Sequence, residues 1–199
     1  PPRVKLTILI FMIHYTTPYR TDKDLGRAYN EAMQLCVDGN YDENEFIKEN
    51  PITHVCLMDG DVMFLTPNWG TIIEEYVALY PDAVLTCRTN RIHHLSKQLL
   101  WKDPPHSIIE LIKIANGATD LRTVTPIIPG EGMSGFLMVV PVALWQQIPF
   151  KQGIGCLGVD SQFRMDVHAA GKEILIMDGL LVWHTYRLAT GVNDKTHLV

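Results

Sequence analysis

The chain has 199 residues, of which 47% are hydrophobic and 20% are charged, and its formal net charge is −5. This composition is typical of a globular protein, and the length suits one domain, residues 1–199. The acidic balance, without a basic cluster among aromatic residues, argues against a nucleic-acid partner. No apolar run reaches the roughly 18 residues that a membrane-spanning helix needs, so we expect no integral membrane segment.

The cysteines do not suggest a metal site or a disulfide framework. Cys36, Cys56, Cys87 and Cys156 are widely separated, and none belongs to a CxxC pair. Cys56 and Cys87 fall within apolar runs, where a thiol behaves as a small core residue. Cysteines usually stay reduced in the cytosol, and the scattered pattern in this chain suits that compartment. We therefore expect a cytoplasmic protein.

The first half of the chain alternates between predicted strands and helices. The apolar run at 3–13 has no small-residue cleavage site and continues into polar residues, which favours a first strand over a signal peptide. Apolar residues at helical spacing predict a helix over 24–37. The short apolar run 55–58 is typical of a buried strand, and Thr66 is the expected N-cap of a helix over 67–79.

The second half continues the alternation with longer irregular stretches. Residues 88–105 and 119–132 read as loops, and loops on a rigid scaffold usually carry binding specificity. The alternation predicts an α/β fold with parallel strands and helical crossovers. The predicted elements are strands at 82–87, 135–140, 173–177 and 181–184, and helices at 107–115, 141–148 and 160–170.

Two carboxylates flank a glycine directly after the apolar run 55–58: Asp59, Gly60 and Asp61. Asp-Gly is common in turns, where the aspartate bonds to local backbone groups, and this explains one of the two aspartates. The second is better explained by a divalent cation, because Mg²⁺ and Mn²⁺ prefer oxygen ligands and often bridge to phosphates. Ligands of open α/β sheets bind at this edge, so we interpret the pair as a metal site.

Two further polar residues lie at the ends of predicted elements. Asp160 begins a helix, where it would be an N-cap or, facing a cleft, a general base. His184 ends the apolar strand at 181–184. A histidine there is more often a hydrogen-bonded structural residue, whereas a neutral imidazole would add a nitrogen ligand to the two carboxylates.

Taken in order, these segments resemble the GT-A fold glycosyltransferases, most closely those of family 2. The resemblance spans nearly the whole chain and implies a single Rossmann-like domain with a mixed, mostly parallel sheet flanked by helices. It also implies a metal-dependent enzyme that moves a sugar from a nucleotide-diphosphate donor, with a UDP-sugar favoured, to an acceptor hydroxyl with inversion. The matching segments are LGRAYNEAM at 25–33, DGD at 59–61, GFLMVVP at 135–141, VDSQF at 159–163 and WH at 183–184.

The resemblance implies roles for individual residues. Asp61 would bind Mn²⁺ or Mg²⁺ directly, Asp59 would contact the ribose or the metal through water, and His184 would complete the metal site. Asp160 would be the base that activates the acceptor hydroxyl, and this chain has Val159 where many members have glutamate. The positions expected to hold the nucleotide and sugar are His14, Tyr15, Thr16, Pro18, Tyr19, Asn30, Gly60, Gly135 and Phe136.

The expected partners are a nucleotide-sugar donor and a carbohydrate, lipid-linked or protein acceptor. Three alternatives stay open: a sugar-phosphate nucleotidyltransferase, a retaining glycosyltransferase and a non-catalytic nucleotide- or carbohydrate-binding domain. The first expects an early glycine-rich phosphate loop, and residues 14–24 contain no glycine. The last requires neither Asp160 nor His184.

Overall fold

The computed structural model describes residues 11–39, 50–92, 96–100 and 107–185. Most of the predicted first strand, 3–13, lies outside these residues, and the first described strand begins at Ile13. The elements in chain order are β1 (Ile13–Thr16), α1 (Leu25–Asp38), β2 (His54–Met58), β3 (Val62–Phe64), α2 (Trp69–Leu79), β4 (Val84–Thr89), α3 (Ile108–Ala118), β5 (Val124–Pro126), β6 (Leu137–Pro141), α4 (Val142–Trp145), α5 (Val159–Ala169) and β7 (Ile174–His184).

The described strands form one mixed sheet with the order β1-β2-β6-β4-β7-β3, and β5 pairs with the first half of β7. The α/β class and the mixed sheet are confirmed. The prediction that the sheet is mostly parallel is wrong for the pairings among the described residues. Only β1 with β2 and β4 with β7 are parallel, and the other four pairings are antiparallel. Strand β3 follows β2 after a turn, without a helical crossover that would return the chain to the same sheet edge, so it runs in the opposite direction. Strands β5 and β6 also run opposite to β4.

Helices cover both faces of the sheet because each has one apolar stripe to bury. Helices α1, α4 and α5 pack on one face, with Met33, Trp145 and Phe163 among their buried side chains. Helix α2 packs on the other face through Ile73 and Tyr76. Helix α3 packs against the end of β7. Within the described residues, no helix has both the length and the apolar character that crossing a membrane requires.

Strand β7 is continuous where the sequence predicts two strands, and a bulge explains the difference. Its register against β4 shifts between Cys87 and Arg88, which leaves three residues of β7 without a partner on β4. The Asp178 carboxylate accepts a hydrogen bond from the Arg88 guanidinium (3.1 Å), and the Gly179 N–H donates to the Tyr76 hydroxyl (2.9 Å). The bulge is therefore held by side chains, and the second half of β7 resumes pairing and ends at the sheet edge where β2 also ends.

Candidate metal centre

Asp59 and Asp61 lie in the turn that joins β2 to β3, at the carboxyl end of β2 as the sequence predicts. The Asp59 N–H donates to the carbonyl of Phe136 (2.9 Å), and the Val62 N–H donates to the carbonyl of Asp59 (3.3 Å). The turn is thus fixed on both sides, while the two side chains stay 40% and 44% exposed. Both carboxylates are accessible to a ligand in solution.

His184 brings a ring nitrogen to these carboxylates from the other end of the chain. Its Nε2 lies 3.2 Å from Asp61 Oδ1 and 3.7 Å from Asp59 Oδ2. Its Nδ1 lies 3.0 Å from the carbonyl oxygen of Arg91, which only accepts, so Nδ1 carries a hydrogen. The ring also stacks on Phe136, with centroids 5.1 Å apart. In the neutral ring, Nε2 then directs its lone pair at the two carboxylates.

Asp59, Asp61 and His184 offer one ligand atom each, and these atoms all lie within 4.8 Å of one another. Two carboxylate oxygens suit Mg²⁺ or Mn²⁺, and the imidazole nitrogen favours Mn²⁺ of the two. The donation from Nδ1 to a backbone carbonyl is the outer contact that orients metal-binding histidines. The residues present therefore fit a divalent cation.

The electrostatics of the cluster also favour a cation. The pKa of Asp59 is raised to about 6, first by burial, while His184 lowers it and the carboxylates of Asp61 and Asp160 raise it. A carboxyl with a raised pKa is one whose negative charge is unfavourable in the folded protein. A bound divalent cation would offset the negative charge of Asp59 and of the neighbouring carboxylates.

Asp160 lies in the first turn of α5, not at its N-cap as the sequence suggests. The N-cap is Gly158, with φ of 86°. The Asp160 carboxylate accepts two backbone hydrogen bonds, from Ser161 N–H to Oδ1 (2.7 Å) and from Gly135 N–H to Oδ2 (2.9 Å). A Cβ at residue 135 would lie only 2.9 Å from the Cβ of Asp160, so this approach requires glycine. Each oxygen keeps a lone pair for a further donor.

Gly135 and Phe136 join Asp160 to the metal-ligand cluster. The Gly135 N–H donates to the Asp160 carboxylate. The Phe136 carbonyl accepts from the Asp59 N–H, and the Phe136 ring stacks on the His184 ring. These two residues precede β6, which runs antiparallel to β2 and therefore starts at the edge where β2 ends. The structure thus brings together Asp59, Asp61, Gly135, Phe136, Asp160 and His184.

The predicted nucleotide segment at the end of β1 runs beside the turn between β2 and β3. Thr16 pairs with Leu57, and a Cβ at Gly60 would touch the methyl group of Thr17 at 3.6 Å. The Tyr15 ring instead packs edge-on against Trp69 of α2, 5.2 Å between centroids. Nucleotide binding by this segment stays a prediction for His14, Tyr15, Thr16, Pro18 and Tyr19, all of which are half-buried or exposed.

Asn30 has a packing role in the structure, in contrast to the predicted contact with a nucleotide. Its Oδ1 accepts hydrogen bonds from Trp145 Nε1 (2.8 Å) and Phe150 N–H (3.0 Å), and its Nδ2 donates to the Phe150 carbonyl (2.8 Å). Gly26, one turn earlier, lies so close to Lys151 that a Cβ would collide with its carbonyl oxygen. This pair fixes α1 against the chain that follows α4, which explains the LGRAYN pattern without a ligand.

Gln98 supports the site and was missed by sequence reasoning. Its buried side chain accepts a hydrogen bond from Ser134 N–H (2.7 Å), and it donates to the Ser134 carbonyl (2.9 Å) and to the Thr86 hydroxyl (2.8 Å). It therefore fixes the residue directly before Gly135. A single glutamine in a polar stretch gives no pattern that could have identified this contact.

Two comparisons with known proteins found no relative of the chain. No family model matches the chain, and no curated protein matches it. The inference of function therefore depends on the geometry of the site and on the resemblance of its motifs.

Proposed function

We propose that the chain is a metal-dependent glycosyltransferase of the GT-A, family 2 type, which transfers a sugar from a UDP-sugar to an acceptor hydroxyl with inversion. One observation carries the proposal. Asp59, Asp61 and His184 converge at the sheet edge where Asp160 is also held, and the adjacent residues Gly135 and Phe136 contact both groups. The motif resemblance supplies the reaction type, and the convergence of the residues supports it.

Asp59, Asp61 and His184 would hold Mn²⁺ or Mg²⁺ together with the donor diphosphate. A bound cation would act as a Lewis acid that stabilises the negative charge on the departing nucleoside diphosphate. The turn between β2 and β3 positions the carboxylates through its contact with Phe136. The neighbouring end of β1 would bind the ribose and base of the nucleotide.

Asp160 would act as the general base. As the acceptor oxygen forms its bond to the anomeric carbon, the bond from that carbon to the diphosphate oxygen breaks, and the acceptor proton passes to Asp160. Attack from the face opposite the diphosphate inverts the anomeric carbon, as in inverting glycosidases. The two backbone N–H groups that bind the Asp160 carboxylate fix its position and leave a lone pair on each oxygen.

UDP binding tests this proposal. Calorimetric titration of UDP should give tight binding with Mn²⁺ present and weak binding with EDTA. Asp61→Ala should abolish the gain from Mn²⁺, because it removes the carboxylate 3.2 Å from His184 Nε2. Asp120→Ala is the matched control, since Asp120 is exposed at the end of α3 and should leave the titration unchanged.

Three further outcomes separate the alternatives. UDP affinity that is the same with Mn²⁺ and with EDTA would contradict the proposal. Metal-dependent binding together with release of UTP from a UDP-sugar and pyrophosphate would instead indicate a nucleotidyltransferase. Release of UDP from a UDP-sugar in the presence of acceptors supports the glycosyltransferase.

A further inference from the structure

The end of β7 lies beside the end of β4, and the last residue of β7 is a proposed metal ligand. The parallel pairing of these strands ends with Thr89 opposite Val182. His184, two residues later, is 2% exposed and pairs on its other side with Val62 of β3. Its backbone N–H, buried at the edge of the site, therefore needs an acceptor beyond the regular ladder.

The side chain of Asn90 supplies that acceptor. Asn90 directly follows β4 and is buried, and its Oδ1 accepts the His184 N–H at 2.7 Å. The next residue, Arg91, accepts from the His184 ring at Nδ1 through its carbonyl oxygen (3.0 Å). Two adjacent residues thus hold one histidine at two points, the first at its backbone and the second at its ring.

These two contacts constrain different parts of His184. The contact with the Arg91 carbonyl sets the rotation of the ring, whereas the contact with Asn90 sets where the backbone of His184 lies along the sheet. Without an acceptor at residue 90, the buried N–H would lose this hydrogen bond, and the end of β7 would shift to recover one from water or another oxygen. Any such shift changes the distances from Nε2 to Asp59 and Asp61, which are now 3.7 and 3.2 Å.

We propose that Asn90 is a positioning residue for the metal centre, because its side-chain oxygen fixes the backbone of His184 and thereby the place of the Nε2 ligand. The inference depends on the metal site in the proposed function. Outer contacts of metal-binding histidines typically change metal affinity by about 10- to 100-fold when they are removed. We expect a change of this size for a variant that lacks the acceptor.

The experiment measures the affinity of the metal-free protein for Mn²⁺ alone by electron paramagnetic resonance of the free ion. Asn90→Leu removes the acceptor at similar volume and should weaken Mn²⁺ binding about 10- to 100-fold. Asn90→Ser, whose hydroxyl is too short to reach His184, should weaken it similarly and avoids a larger apolar group. Asn90→Asp keeps an acceptor oxygen and should bind Mn²⁺ at least as tightly as the unaltered protein.

Asn30→Leu is the matched control, because Asn30 is also a buried asparagine whose Oδ1 accepts backbone and side-chain N–H groups, away from the metal ligands. It should lower the thermal stability and leave the Mn²⁺ affinity unchanged. Thermal unfolding without metal verifies that each variant is folded.

The outcomes separate the two proposals. An unaltered protein that binds no Mn²⁺ would contradict the metal site itself. Unaltered binding with unchanged affinity in Asn90→Leu and Asn90→Ser would overturn the role of Asn90 alone. Equal weakening in Asn90→Asp would also overturn it, since the acceptor would then not be the cause. Equal weakening in Asn30→Leu would show that lost stability explains the effect.

Discussion

At the scale of single residues, Asp59 carries a negative charge that the folded protein disfavours. Its pKa is raised from an ordinary 3.8 to about 6, so between these pH values the folded protein binds more protons at Asp59 than the unfolded chain does. Stability therefore falls as pH rises through this window. Since 40% of the side chain is exposed, solvent screening limits the effect to about 1 kcal/mol.

Asp59→Asn should remove this penalty. In EDTA at pH 7 the variant should be more stable than the unaltered protein by about 1 kcal/mol, a rise in Tm of about 2–4 °C, and the difference should vanish near pH 4. Thermal unfolding from pH 4 to 8 measures this, with Asp120→Asn as the control at an exposed site. A gain that persists undiminished at pH 4 would contradict the electrostatic explanation.

Asp160→Asn tests the proposed base. The amide offers one acceptor oxygen where the carboxylate offers two, so either the Gly135 or the Ser161 contact is lost, at a cost of about 1 kcal/mol. Mn²⁺-dependent UDP affinity should be kept, because Asp160 is not among the three proposed metal ligands. Sugar transfer should fall by roughly two to four orders of magnitude, the usual contribution of a positioned base.

The result separates a catalytic from a structural Asp160. Near-normal transfer in Asp160→Asn would remove this residue from the mechanism. A loss of UDP affinity parallel to the loss of transfer would instead assign Asp160 to donor binding.

At the scale of elements, the segment 96–100 fixes the start of β6 through Gln98. Gln98→Met keeps the volume and removes both hydrogen bonds to Ser134, so the variant should lose about 1–3 kcal/mol, a drop in Tm of several degrees. Hydrogen exchange at Gly135, the next residue, should become faster. Gln147→Met is the control, at an exposed glutamine whose side chain donates to the carbonyl of Ala143. A Tm equal to that of the control would show that Gln98 does not fix this segment.

The elements with a long, regular apolar period are those that the sequence predicts. Helix α1, predicted over 24–37, spans Leu25–Asp38, and the buried run 55–58 becomes β2. The three-residue strands β3 and β5 were not predicted, because three residues are too short for a period to appear. The predicted strands 173–177 and 181–184 join into β7 because side chains of distant residues hold the bulge between them.

The candidate site likewise combines residues that the sequence predicts with contacts that it does not. Asp59, Asp61 and His184 could be predicted as candidates because the two aspartates follow an apolar strand and the histidine ends one, at the edge where ligands bind. Their convergence, with 122 residues between Asp61 and His184, and the packing role of Asn30 depend on contacts between distant segments. The roles of Asn90 and Gln98 depend on single hydrogen bonds, which leave no trace in composition or period.

At the scale of the whole molecule, the site joins parts of the chain that are far apart in sequence. Asp59 and Asp61 follow the second strand, Gly135 and Phe136 precede the sixth, and His184 ends the last. A cation bound at this edge would link the first third of the described chain to its end. Because those ligands converge only in the folded protein, binding should be coupled to global stability.

Mn²⁺ should therefore stabilise the folded protein in proportion to its occupancy. A ligand that binds only the folded state at 100 times its Kd adds about 2.7 kcal/mol, which corresponds to a rise in Tm of roughly 5–10 °C for a chain of this length. Thermal unfolding with increasing Mn²⁺ at pH 7 measures the shift, and EDTA should reverse it. The shift should be absent in Asp61→Ala and retained in Asp120→Ala, because only the first removes a ligand oxygen near His184. An equal shift in both variants would place the bound Mn²⁺ elsewhere on the protein and leave the carboxylates between β2 and β3 without a metal.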